Sequence, residues 1–109
     1  MGLWHQNLEQ DSQELQSLFE FLLGTTNVYY NPPSSVRMRY DAIVFTRSRI
    51  ENVHANNYVY NQNNRYEVTT ITTDPDSPII AKISALPLCS HERQFVSDNL
   101  YHNVFTLYH

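Results

Sequence analysis

The stretch Arg65-Tyr66-Glu67-Val68-Thr69-Thr70-Ile71-Thr72-Thr73 decides the fold class. β-branched and aromatic residues fill it almost without interruption, and these are the residue types that suit a pleated, half-buried surface. Asp74-Pro75-Asp76 stops the strand, because proline cannot donate to a ladder and aspartate favours turns. A helix is expected next, capped by Ser77 or Asp76, with Pro78 in the first turn where its missing N–H does no harm. Ile79, Ile80, Ile83 and Leu86 form its apolar stripe, and Pro87 ends it. A final hairpin is expected from Arg93 to Ser97, a turn at Asp98-Asn99, and a strand from Leu100 to Tyr108.

Upstream of the deciding strand, a β signal begins at about Val36. Even positions read Val36, Met38, Tyr40, Ala42 and Val44, and alternation assigns them to the core face. Odd positions carry Arg37, Arg39, Arg47 and Arg49 around an apolar centre of Ile43 and Phe45, as on a surface covered in its middle and open at its margins. Residues 52–64 are rich in Asn and Tyr and read as a long hairpin connection, with Tyr58-Val59-Tyr60 as a short strand inside it. Residues 25–35 read as a loop, with Asn31 pushed towards an extended conformation by Pro32-Pro33.

The N-terminal segment reads as a helix. Leu8, Leu15, Leu18, Phe19 and Leu22 recur at helical spacing, with Ser12 standing where another apolar residue would fit. Asn7 is the expected N-cap with Gln10 as its capping-box partner, and Gly24 the expected C′ residue. That placement puts Glu9 and Asp11 in the first turn, where the macrodipole favours acids, and leaves Glu14 and Glu20 in want of another reason. The resulting order is α-β-β(-β)-α-β-β. It fits an α+β fold, with an antiparallel or mixed sheet of about four to five strands and both helices packed on one face. The 109 residues make one domain, with an acidic helix at 1–24 and the sheet, long hairpin and second helix at 36–109.

Composition excludes several function classes. The net charge of −4 comes from residues 1–24, which hold four acids and no Lys or Arg; residues 25–109 hold seven of each sign. No basic footprint for tight nucleic-acid binding exists. A single cysteine, Cys89, rules out an intramolecular disulfide framework and Cys-based zinc sites. No apolar run approaches the length of a membrane span, and no signal peptide is expected. With no Asn-X-Ser/Thr sequon among eleven Asn, the pattern agrees with an intracellular origin. Only two glycines, Gly2 and Gly24, exclude glycine-rich phosphate loops.

The candidate chemistry yields to simpler readings. His102 and His109, seven residues apart on one expected strand, fall on opposite faces, while His5, His54 and His91 sit in separate loops or termini. Cys89-Ser90-His91 places a nucleophile beside a base, but sequence neighbours converge poorly, and a buried structural thiol is the simpler reading. Ser97-Asp98 with His102 reads as a turn followed by a strand. Paired carboxylates for acid–base work would need Asp74, Asp76 or Asp98 in an apolar pocket, and Asp76 is better explained as a cap and Asp98 as a turn residue. The chain is therefore expected not to be an enzyme, and to use no cofactor and no metal. The four arginines have two readings: bidentate partners for a neighbouring subunit's carboxylates, or a solvated strand face. The amide- and Tyr-rich 52–64 segment is too long and polar for a simple turn, and docking on a partner is favoured. Arg37, Arg39, Arg47, Arg49, Tyr58, Tyr60, Asn61 and Asn63 are the expected subunit or partner contacts.

Longer strings carry a family resemblance. Pro32-Pro33 before Met38-Arg39-Tyr40, Ala42-Ile43-Val44, Asn56-Asn57 with Tyr60, Arg65-Tyr66, Asp74-Pro75-Asp76-Ser77, Leu86-Pro87, and Asp98-Asn99-Leu100 with His102 together resemble small neck and tail-completion proteins of tailed bacteriophages. The resemblance covers about residues 28–109. The order of elements is similar to that of tail terminator (tail-to-head joining) proteins. It implies a homo-oligomeric ring, typically a hexamer, that caps the tail tube protein and presents it to the head connector and neck proteins. DNA would pass through the lumen unread. The expected location is the virion, assembled in the host bacterial cytoplasm. In that setting the acidic helix is expected to face a DNA-conducting lumen or a neighbour's arginines. A head-closure or connector adaptor role is the alternative within the neck. A small phage-encoded enzyme or regulator using Cys89 or the histidines is the alternative of another class.

Overall fold

A computed structural model describes the backbone of residues 2–48, 54–55, 58–59 and 65–109, and the side chains of residues 12–48 and 65–109. The architecture is α+β: a five-stranded mixed sheet with two helices. Helix α1 spans Gly2–Leu23, followed by β1 (Val28–Tyr30), β2 (Ala42–Arg47), β3 (His54–Ala55), β4 (Tyr58–Val59) and β5 (Arg65–Thr72). Helix α2 (Pro78–Ser84), β6 (Cys89–Ser97) and β7 (Leu100–Tyr108) complete the chain. The sheet order is β1-β2-β5-β7-β6; β1 lies parallel to β2, and every other pair is antiparallel. The short strands β3 and β4 pair separately, within the expected long hairpin; Arg49, Tyr60, Asn61 and Asn63 lie outside the described residues.

The core lies between the two helices and one face of the sheet. Leu15 and Phe19 of α1 and Ile79 and Ile83 of α2 are buried against it. The register shows why the sheet side is continuous. Phe45 of β2 stands opposite Val68 of β5, which stands opposite Phe105 of β7, which stands opposite His91 of β6. Phe19 reaches this row and meets the Phe45 ring edge-on, with centroids 5.1 Å apart and planes at 76°. His91 closes the far end with an edge-on contact to Phe105 at 5.1 Å.

The structure corrects the face expected of β2. Ile43 and Phe45 at odd positions face the helices, while Ala42 is also fully buried and Val44 partly so. The run Ala42-Ile43-Val44-Phe45 is apolar on both sides, so alternation cannot choose between faces; the larger side chains turn to the helices. The strand also starts at Ala42 rather than Val36. Residues 31–41 are consumed in crossing from the end of β1 to the start of its parallel neighbour, a connection that cannot be a tight hairpin. Hydrogen bonds pin this crossover at both ends. The Asn31 N–H donates to the Phe45 carbonyl at 3.0 Å, and Asp41 Oδ1 accepts from the Thr73 N–H at 3.1 Å. The peptide bond before Asp41 is cis.

Strand β1 lies where a loop was expected, and Asn31 has φ 46° rather than an extended conformation. Asn is among the few residues that tolerate this left-handed region. Gln16 of α1 protects the outer edge of β1, its Nε2 donating to the Val28 carbonyl at 2.8 Å. Helix α1 begins at Gly2, five residues before the expected cap Asn7, so Glu9 and Asp11 lie beyond its first turn. Its end is as expected: Gly24 has φ 82°, and its N–H donates to the Glu20 carbonyl at 2.9 Å. Lys82 of α2 adds a cation there, Nζ donating to the Leu22 carbonyl at 3.3 Å. Ser77 occupies the N-cap position of α2 and Pro78 opens that helix, although the Ser77 side chain makes no capping hydrogen bond.

Candidate interaction surface

Of the expected arginines, Arg37 and Arg39 do not share a strand with Arg47, and Arg49 lies outside the described residues. Arg37 and Arg39 are exposed on the crossover, where the Arg39 backbone N–H donates to Tyr29 Oη at 3.1 Å. Arg47 is half-buried at the last position of β2, opposite Tyr66. The crossover breaks the alternation that would have put these side chains on one strand face. Tyr58 opens β4; the other expected contact residues of the long hairpin are beyond the described part of the chain.

A different surface emerges from the β6–β7 hairpin. The turn at Asp98-Asn99 has φ of 53° and 62°, the two successive positive values that define a type I′ connection and match the twist of the strands it joins. Strand β6 starts at Cys89, four residues before the expected Arg93, and its residues are exposed from Ser90 to Ser97. Its outer edge has no strand partner among the described residues. A shift in register between His91 and Arg93 re-aims the outer part of the strand. Beyond it, Phe95 stacks on the cross-strand His102 with centroids 4.7 Å apart and planes at 9°, and the Arg93 guanidinium lies 5.9 Å from the Phe95 ring centre. Val96, on the opposite face, is 62% exposed. Phe95 and Val96 are adjacent, so no single core can take both. The sequence signal for this surface is that apolar pair just before a turn.

At the other end of the hairpin lies an apolar cleft of about 430 Å³, walled by Leu15 and Leu18 of α1, Leu86 and Leu88 of the α2–β6 connection, and Leu107 and Tyr108 of β7. Leu88 is held at φ 59° with its side chain 62% exposed. At the same end Glu14 Oε2 lies 3.5 Å from His109 Nε2.

Cys89, His91 and His102 make contacts within the fold, while the side chains of His5 and His54 lie outside the described residues. Cys89 is half-buried against the core, and burial pushes its thiol above the ordinary range, which keeps it protonated at neutral pH. His91 Nε2 is hydrogen-bonded to Asn103 Oδ1 at 3.1 Å, and His102 is occupied with Phe95. Among the described residues no three His, Cys, Asp or Glu side chains converge on a metal-sized site, and no helix is long and apolar enough to cross a membrane. Comparisons with protein-family models, curated proteins and solved structures returned no match.

Proposed function

We propose that the chain is a tail terminator of a bacteriophage neck, a structural virion protein that forms a ring on the end of the tail tube. The observation that carries this reading is the set of strings from Pro32-Pro33 to His102 that resembles the tail-completion proteins. The mixed sheet, long N-terminal helix and second helix before a final hairpin are compatible with the element order of that group. An exposed apolar hairpin end and an apolar cleft supply contact surface of the kind a subunit needs. Arg37 and Arg39, exposed on the crossover, offer further guanidinium groups to carboxylates of a neighbouring chain.

The mechanism is geometric. One face of the ring seats on the last tube ring and blocks further addition; the other is read by the head connector. DNA passes through the lumen, where the acidic α1 would repel it and keep it mobile. Electron microscopy of particles made without this chain tests the reading. Overlong tails, or tails that fail to join heads, are expected; tails of normal length joined normally to heads would overturn it.

A further inference from the structure

We propose that the β6–β7 hairpin end of one copy seats between the walls of the apolar cleft of the next copy, so that Phe95 on one face and Val96 on the other each meet leucines of the cleft and Arg93 meets Glu14. The inference rests on the ring reading in one respect only, that the partner is a second copy of this chain.

The two halves of the contact are on the same chain but cannot meet within it. From Leu100 at the turn to Tyr108 at the cleft, β7 extends roughly 27 Å at the usual rise per residue. A hairpin end with apolar side chains on both faces leaves uncovered surface whichever way it is turned, and an open apolar cleft leaves more. Each is what the other lacks. The charges agree as well: Arg93 accompanies the hairpin end, and Glu14, on a helix that carries no Lys or Arg, stands by the cleft. The hairpin end is also preorganised. The type I′ turn and the stack of Arg93, Phe95 and His102 fix the contact residues before binding, which lowers the ordering cost. A knob on one end and a cleft on the other make a heterologous contact, which closes into a ring when the rotation per subunit allows it.

A heterologous contact has a signature that no self-complementary one has. Val96→Asp disables the knob and leaves the cleft; Leu88→Asp disables the cleft and leaves the knob. Both side chains are largely exposed, so both variants are expected to keep the wild-type circular dichroism and melting. Native mass spectrometry of the purified chains reads the result. Wild type is expected as a multiple of the 12.8 kDa chain, each variant alone as a monomer, and the two mixed as a dimer that grows no further. In a second arm, Arg93→Glu is expected to dissociate the assembly and Glu14→Arg in the same chain to restore it. Folded variants that assemble like wild type would overturn this contact and leave the ring reading standing. Variants that are monomers both alone and mixed would also overturn it. Wild type that stays a monomer even with tail tubes would overturn the ring reading with it.

Discussion

Replacing Phe19 with alanine is expected to cost about 3–5 kcal/mol of folding stability, the range found for aromatic truncations in packed cores. Phe19 is wholly buried on α1, and its ring meets Phe45 edge-on at the centre of the sheet. The loss therefore combines burial, a cavity, and an aromatic pair worth about 0.5–1.5 kcal/mol in itself. A domain of this size has roughly 5–15 kcal/mol in all, so the urea midpoint should fall by about a fifth or more with little change in slope. The same helix holds its own control. Phe21, two residues on, is 81% exposed, and Phe21→Ala should stay within about 0.5 kcal/mol of wild type. Equal effects at the two positions would mean that α1 does not pack as described.

The second large effect is expected at the hairpin turn. Asp98 and Asn99 both have positive φ, which aspartate and asparagine accept and β-branched residues resist by roughly 1–2 kcal/mol each. Asp98→Val with Asn99→Val should therefore destabilise the hairpin end by about 2–4 kcal/mol. The residues from Arg93 to Asn99 are exposed and lie outside the core, so the loss should be local rather than global. Amide exchange at Phe95 and Leu100, which belong to the hydrogen-bonded pairs of the hairpin, is the measurement; at about tenfold per 1.4 kcal/mol, protection there should drop by between tens and a thousandfold, while Val68 and Phe105 change far less. Asn99→Gly, which suits a type I′ turn, should leave protection at its wild-type level. Unaltered exchange in the double valine variant would contradict the turn geometry.

Much of the architecture was legible because its signals are local. The β5 run, the Pro78 entry to α2, the glycine stop of α1 and the Asp98-Asn99 turn are each fixed by a few neighbouring residues. The failures have tertiary causes. Three residues of β1 become a strand only because β2 pairs with them and Gln16 bonds the edge carbonyl of Val28. The face of β2 is set by which side receives α1 and α2, and a strand apolar on both sides does not announce it. Arg37 and Arg39 leave the expected strand for a related reason: a parallel neighbour requires a crossover, and they lie in it. The candidate surface was legible only in part. Adjacent Phe95 and Val96 signal a strand that no single face can bury, but the cleft gathers leucines from α1, the α2–β6 connection and β7, which no sequence spacing brings together.

Electron microscopy of tail tubes mixed with the purified chain tests directly whether the chain forms a ring on the tube end. A ring of copies at one end of each tube is expected, with tubes that no longer lengthen when tube protein is added. Bare tube ends at saturating concentrations of the chain, with lengthening unchanged, would contradict it.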